Sequence, residues 1–200
     1  PQESDSLFEI IAKTENLDNF MRYFWIRIVL LAGIYGICLG WYAWNLQIAA
    51  SAIKMPLLLL GTMVICFPPL FAFNMLLGSK LNLKQSLSLL LVANYVLTFI
   101  LASLAPVLLF FAISAPDKHF VSLLNFMFCS LAGIFSLIFL WKGMRYLTLR
   151  AGKQYNPRII RIWSLFYIFV GTQLSCLLRP FFGDKEAAFV LFREIQGNNY

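Results

Sequence analysis

Five apolar runs, each near or above the length that crosses a bilayer, constrain this chain more than any other feature. They cover residues 24–44, 55–77, 87–113, 120–141 and 159–178. A helix needs about 20 apolar residues to cross the hydrocarbon core. Hydrophobic residues make up 60% of the chain and charged residues 12%, against about 45–50% and about 25% in soluble domains. The sequence therefore predicts an all-α, polytopic integral membrane protein with five transmembrane helices.

The residues before the first run are polar and periodic. Ser6 and Glu9 form an S-x-x-E capping box, which is typical of a helix start. The apolar residues that follow the cap are Leu7, Phe8, Ile10 and Ile11. This spacing predicts an N-terminal amphipathic helix at the membrane surface, and a docking site for a partner is the alternative. The segment lacks an apolar h-region, so we expect that it is not a signal peptide.

Basic residues at the ends of the runs predict the orientation of the helices. Most of the 16 lysines and arginines lie on the side of the N-terminal segment and of the second and fourth loops. Because cytoplasmic loops carry an excess of Lys and Arg, we expect a cytoplasmic N-terminus and an external C-terminus, in the bacterial inner membrane. The predicted domains are a cytoplasmic amphipathic segment (1–23), a five-helix transmembrane bundle (24–179) and an external tail (180–200).

Small and polar residues inside the runs mark predicted contacts between helices. In the first run Ala32, Gly36 and Gly40 repeat every four residues, a small-xxx-small pattern that lets two helices approach closely. Asn94 in the third run and Asn125 in the fourth carry amide side chains. We expect the amide of Asn94 to hydrogen-bond to a neighbouring helix, and Asn125 to lie on a packing seam of the fourth run with Ser122, Cys129, Ala132 and Ser136.

The fifth run combines a small, polar stripe with a charge at its end. The stripe consists of Ser164, Gly171, Ser175 and Arg179, which fall on one side of a helix. Gln173 is the one polar residue on the opposite side. We expect Arg179 to point into the bundle and to bond free carbonyls or a carboxylate of the tail. In the alternative, Arg179 snorkels to lipid phosphate and anchors the end of the helix.

The sequence contains none of the motifs that we associate with catalysis or metal binding. It has no HExxH, GxSxG, P-loop or Rossmann pattern, and its four cysteines show no CxxC spacing. The single histidine, His119, lies in a short predicted loop, and all nine acids lie outside the five runs. Ion-coupled carriers normally keep an ionisable group at membrane depth, and the five runs contain no carboxylate. Because the motifs of catalysis and metal binding are missing as well, we expect no catalytic, cofactor-binding or metal site, and no cofactor.

The layout of the chain resembles that of the Yip1-like superfamily, whose members have five spans and a cytoplasmic amphipathic N-terminus. Residues 80–95 are similar to the entry into the third helix of bacterial members. Gly171–Ser175 with Leu178–Gly183, followed by Phe192–Glu194 and Gly197-Asn198, resembles a signature of uncharacterised bacterial multi-pass proteins. The acidic-aromatic motif of eukaryotic Yip1 proteins has no clear equivalent here, so the resemblance implies neither their trafficking role nor a catalytic residue.

These observations predict a non-enzymatic membrane accessory or scaffold subunit that works through helix packing. Its expected partners are membrane lipids and other membrane-protein subunits or a second copy of itself, and not nucleic acid. The alternative is a transporter or channel component that uses intramembrane amides and a helix break at Pro68-Pro69, since a proline pair should interrupt or kink a helix. A lipid-handling enzyme is a third hypothesis.

Overall fold

Five long helices make up the fold. The computed structural model describes residues 7–9, 11, 17–41, 47–76, 82–114, 117–150, 152 and 157–178. The helices are α1 (Leu17–Gly40), α2 (Gln47–Leu76), α3 (Leu83–Ser114), α4 (Lys118–Arg150) and α5 (Pro157–Leu177). These ranges contain no strand. Each helix is long and apolar enough to cross a membrane, so the predicted all-α, five-span fold class is confirmed.

Two of the helices extend well beyond the apolar runs that predicted them. Helix α2 begins at Gln47 rather than at residue 55, and α4 continues to Arg150 rather than ending at residue 141. Hydropathy marks the part of a helix that suits hydrocarbon, whereas backbone hydrogen bonding continues through the polar interface. As a result Lys54, which the sequence places in a loop, lies inside α2 and is only 4% exposed.

Local capping interactions explain where two helices begin. At the start of α3 the backbone N–H of Asn82 donates to Oε1 of Gln85 at 3.1 Å, as the side chain of a capping box does. At the start of α4 the backbone N–H of His119 donates to Oδ1 of Asp117 at 3.0 Å, which is the geometry of an N-cap. Pro157 is the first residue of α5, a position that needs no N–H donor.

Helix α1 packs against both α2 and α3, while α4 packs on α3 and α5 packs on α2. Contacts between neighbours fix the directions of the helices. Ser136 of α4 bonds to Ala93 of α3, and Gly143, further along α4, lies against Leu89, which comes earlier in α3. Helices α3 and α4 are therefore antiparallel. The contacts of α5 with α2 follow the same reversed order. Helices α1, α3 and α5 therefore run one way, and α2 and α4 run the other.

The core is divided into two clusters of buried side chains along the length of the bundle. One cluster contains Phe24, Leu89 and Trp163 and lies toward the end where Asp18 pairs with Lys84 at 3.0 Å. The other contains Tyr35, Leu101, Leu108, Ala112 and Val121, among others, and lies toward the start of α4.

Gly36 lies where the backbones of α1 and α2 approach closely. A Cβ atom built on Gly36 would lie 2.9 Å from Cα of Ala52 and would also overlap the carbonyl oxygen of Ser51. Ala32 and Gly40, at the same spacing on α1, are buried as well. Small residues allow this approach because a larger side chain would hold the two helices apart.

Helix α2 remains helical through Pro56, Pro68 and Pro69, so the break expected at Pro68-Pro69 is not present. Each proline leaves the carbonyl four residues earlier without its usual donor. For Pro68 and Pro69 these are the carbonyls of Val64 and Ile65. The indole N–H of Trp163 in α5 donates to the adjacent carbonyl of Cys66 at 3.0 Å, so α5 is bonded to α2 directly beside them. Contacts with neighbouring helices help transmembrane helices to tolerate proline.

The described part of the N-terminal segment packs on the bundle. Phe8 and Ile11 are 2% and 0% exposed. The ring of Phe8 lies 5.0 Å from that of Phe139 and 5.7 Å from that of Tyr146, beside Gly143. Phe8 therefore contacts α4, and both side chains belong to the buried core instead of lying on a lipid surface. Most of the predicted amphipathic helix lies outside the described residues.

We predict that an alanine at Gly36 destabilises the fold, whereas an alanine at Gly33 does not. A Cβ atom on Gly33 would meet the carbonyl oxygen of Ala52 at an ordinary 3.8 Å, so Gly33→Ala should gain up to about 1 kcal/mol from helix propensity. Gly36→Ala forces two backbones apart and should lose about 1–3 kcal/mol. Reversible unfolding in mixed micelles measures both, and equal changes would contradict the proposed contact.

We also predict that Phe8→Ala destabilises the protein by about 3 kcal/mol, the lower end for loss of a buried phenylalanine. The matched control is Phe126→Ala, because Phe126 of α4 is 68% exposed and its ring supports no internal packing. Thermal unfolding in mild detergent compares the two variants. If both variants have the same melting temperature, the N-terminal segment does not stabilise the bundle.

Candidate functional site

The polar side chains inside the bundle form the candidate site, and Asn94 of α3 lies at its centre. Asn94 is 2% exposed. Its Nδ2 donates to the carbonyl oxygen of Leu59 in α2 at 3.4 Å, and its Oδ1 accepts from the hydroxyl of Tyr167 in α5 at 3.4 Å. One amide thus links three helices, through bonds at the long end of the accepted range.

A second link joins α1 to α4. The hydroxyl of Tyr35, which is fully buried, donates to Oδ1 of Asn125 at 2.7 Å. The thiol of Cys129, one turn further along α4, lies 3.8 Å from the same oxygen. Asn125, which the sequence places on a packing seam, therefore hydrogen-bonds to a neighbouring helix.

Two further bonds attach α4 to the helices on either side of it. The hydroxyl of Ser136 donates to the backbone carbonyl of Ala93 in α3 at 2.7 Å. The indole N–H of Trp141 donates to the hydroxyl of Ser164 in α5 at 2.9 Å, and that hydroxyl donates in turn to the carbonyl of Ile160 at 2.7 Å. Serine hydroxyls thus act as the connecting groups where these helices meet.

The small, polar stripe of α5 faces the bundle over its described length. Ser164 is buried, and Gly171 and Ser175 are half-buried. Gly171 faces Thr62 of α2, where a Cβ atom would find an ordinary 3.6 Å contact. Gln173 is exposed on the opposite side. Arg179, the last residue of the predicted stripe, lies outside the described residues.

The predicted site residues do not meet in one place. Ala32, Gly36 and Gly40 lie on α1, and Gly36 faces α2. The amides of Asn94 and Asn125 make bonds to different helices. The candidate residues are therefore spread over separate contacts between helices, and this arrangement is suited to holding the bundle together.

Aromatic hydrogen-bond donors are the main feature that we did not predict. Tyr35, Trp141, Trp163 and Tyr167 each donate to a group on another helix. A buried tyrosine or tryptophan usually finds a partner for its O–H or N–H. For Tyr35 a signal was available in the sequence, since it lies one turn from Ala32 on the small-residue side of α1.

Ionisable groups are sparse inside the described part of the bundle. The three carboxylates among the described residues are Glu9, Asp18 and Asp117, which lie on the N-terminal segment or at the ends of helices. Within the ranges that the structure covers, no group of three or more His, Cys, Asp or Glu side chains could hold a metal ion. Hydrogen bonding between helices is the chemistry that this arrangement supports.

No protein-family model, curated protein or solved structure matches this chain. The resemblance to the Yip1-like superfamily therefore stays a prediction from the sequence.

We predict a measurable coupling between Tyr35 and Asn125. In a double-mutant cycle with Tyr35→Phe and Asn125→Ala, the interaction free energy should be about 0.6 kcal/mol and at most about 1.7 kcal/mol, as for other hydrogen bonds between transmembrane helices. Tyr23→Phe serves as the control partner, because Tyr23 lies on the exposed side of α1 and should show no coupling. Unfolding free energies in mixed micelles give both values, and a coupling of zero for Tyr35 would show that the bond does not hold α1 to α4.

Proposed function

We propose that this protein is a non-enzymatic accessory or scaffold subunit that binds other membrane proteins through its helices. The observation that supports this proposal is the uneven burial of the five helices. In their most apolar parts, α1 and α2 have 39% of their residues buried within the chain, and α3 has 33%, but α4 and α5 have only 17%. Helices α4 and α5 thus leave most of their surface for lipid or for a partner.

The exposed side of α4 carries features that a partner helix could use. Leu123 and Phe126 are 60% and 68% exposed. Among these large residues lie the exposed Ser130 and the half-buried Gly133, where an added Cβ atom would meet nothing within 4 Å. Contact with lipid alone requires no small or polar residue, whereas close packing of two helices favours both. This side of α4 is the surface that we propose for assembly.

The interior of the bundle gives less support to the transport alternative. The amides of Asn94 and Asn125 bond to neighbouring helices, and Gln173 lies on the exposed side of α5. A carrier that relied on these amides would have to break contacts that hold the helices together. Helix α2 also continues without a break through Pro68 and Pro69.

For the setting of the protein we propose the bacterial inner membrane, with the N-terminus in the cytoplasm. The excess of Lys and Arg on one side of the apolar runs supports this orientation. The alternating helix directions bring the starts of α1 and α5 and the end of α4 to the same end of the bundle. The described cations at these three helix ends therefore lie on one side, which supports the proposed orientation.

Photo-crosslinking tests the assembly role. We expect benzoylphenylalanine at Leu123 or Phe126 of α4, which are both exposed, to form protein adducts of one defined mass in native membranes. The control position is Ile26 of α1, which is comparably exposed at 55% and should give no such adduct. If all three positions capture only lipid, α4 is not an assembly surface and the proposal is wrong.

Accessibility labelling tests the transport alternative in the same preparation. The substitution Thr98→Cys, in a chain whose native cysteines are replaced by alanine, places a thiol at a fully buried position of α3. We expect no reaction with membrane-impermeant reagents, while Arg150→Cys at the exposed end of α4 should react from one side. Reaction of the Thr98→Cys thiol from both sides would favour a transport path.

A further inference from the structure

The junction between the end of α4 and the start of α5 brings two arginines to the same end of the bundle. The bond from Trp141 to Ser164 joins the two helices at 2.9 Å. Arg145 lies one turn beyond Trp141, and Arg161 lies about one turn before Ser164. Because the two helices run in opposite directions, both arginines lie beyond the Trp141–Ser164 bond on the side of the basic loop.

These cations have no described anionic partner. Lys142, Arg145 and Arg161 are exposed, and none of the three has an ion pair or a side-chain hydrogen bond within the described ranges. Of the described carboxylates, Asp18 pairs with Lys84 and Asp117 lies at the opposite end of α4.

Glu9 is the remaining described carboxylate, and it lies on the N-terminal segment that packs beside α4 through Phe8. A single carboxylate cannot neutralise the three cations Lys142, Arg145 and Arg161. Among the described residues, the junction therefore keeps an excess of positive charge.

From each arginine, a row of exposed apolar side chains runs along the helix toward the middle of the bundle. On α4 the row below Arg145 contains Ile138 and Ile134, which are 41% and 56% exposed. On α5 the row below Arg161 contains Leu165 and Ile168, which are 70% and 55% exposed. Trp141 lies between Arg145 and Ile138 on α4, so the steps along each row are three or four residues and keep the row on one side of its helix. Two cations thus lie above two parallel apolar surfaces.

We propose that this junction binds an anionic phospholipid of the bilayer. The phosphate diester accepts hydrogen bonds from the guanidinium groups of Arg145 and Arg161, and the two acyl chains lie along the two apolar rows. Guanidinium groups suit phosphate because they donate two parallel hydrogen bonds. Lys142 adds positive charge, and the ring of Trp141, 36% exposed, lies at the level that tryptophan favours in membranes.

The charge of the junction sets its preference among lipids. A zwitterionic lipid also carries a phosphate, but its choline group would add a cation beside three others. An anionic lipid such as phosphatidylglycerol brings a net negative charge, and each Lys or Arg near the surface then strengthens binding. This site requires no protein partner, so it does not depend on the assembly role proposed above.

Native mass spectrometry of the full chain, titrated with phosphatidylglycerol or phosphatidylcholine, tests the proposal. We expect Arg145→Gln with Arg161→Gln to weaken phosphatidylglycerol binding roughly 25-fold, which corresponds to about 1 kcal/mol per cation. The matched control is Arg22→Gln with Arg27→Gln, which removes the same charge from exposed positions of α1 and should leave binding almost unchanged. Phosphatidylcholine should bind the wild-type protein much more weakly than phosphatidylglycerol.

Three results would overturn the proposal. Equal weakening by the two double variants would mean that the general charge of this end attracts the lipid. Equal binding of the two lipids would remove the selectivity for anionic headgroups. Displacement of phosphatidylglycerol by millimolar inorganic phosphate would show that the junction takes a free phosphate and that the apolar rows contribute nothing.

A conservative pair keeps the test decisive if the glutamine variant does not fold. Arg145→Lys with Arg161→Lys retains the charge but loses the two parallel donors of each guanidinium. We expect severalfold weaker binding of phosphatidylglycerol with an unchanged melting temperature. Binding as tight as that of the wild-type protein would show that the arginines act only as point charges, and the proposed phosphate contact would be wrong.

Discussion

A polar group buried in hydrocarbon has no water to bond with, and this constraint determines how the five helices fit together. Each unsatisfied backbone or side-chain group at that depth costs several kcal/mol. In the described interior, bonds between helices such as those from Tyr35 to Asn125 and from Trp163 to Cys66 meet this constraint, whereas the buried hydroxyls of Ser86 and Ser88 have no hydrogen-bond partner. Because each of these bonds has a single donor and a defined acceptor, it fixes how far one helix can slide along the next. Apolar packing alone would not specify that position, since lipid tails are as apolar as leucine.

The same constraint divides the bundle into a tightly packed part and a looser one. Gly36 brings the backbones of α1 and α2 close together, and α1, α2 and α3 bury a larger share of their residues than the other two helices. Helices α4 and α5 bury only 17% of their most apolar parts, although groups such as Ser136 and Trp163 bond them to their neighbours. The looser pair also carries the exposed Ser130 and the arginines of the α4–α5 junction, which have no partner among the described residues. Both proposals concern this pair, because its surfaces are the ones that internal packing leaves available.

The sequence predicted those features that depend on length and spacing. Apolar runs of about 20 residues identify spans whatever their neighbours are, so all five helices were found. Periodicity also predicted the buried side of α1, where Gly36 meets α2, and the buried side of α5, where Ser164 bonds to Trp141. These patterns are local, and one helix is enough to define them.

Features that depend on two segments far apart in the sequence could not be predicted from such local patterns. The acceptor of Trp163 is a backbone carbonyl in α2. Every residue has such a carbonyl, so the sequence does not show which one accepts the bond. An interruption or a kink was expected at Pro68 and Pro69, and the helix is not interrupted there, because packed neighbours can keep a helix continuous through proline. Lys54 was placed in a loop because hydropathy alone does not show that the helix begins earlier. The described residues end before Arg179, so its direction stays a prediction.

The contact of Phe8 with α4 has a consequence for how the chain is made. Phe8 is synthesised before Phe139 and Tyr146, the rings against which it packs, and more than half of the 200-residue chain separates it from both. At about 5–20 residues per second, the delay is on the order of ten seconds. During that time Phe8 lacks the rings that cover it in the folded protein, and it can reach its buried position only after α4 has been inserted. Closure of this end of the bundle thus waits for α4, and until then the ring of Phe8 is open to chaperones or to the membrane surface.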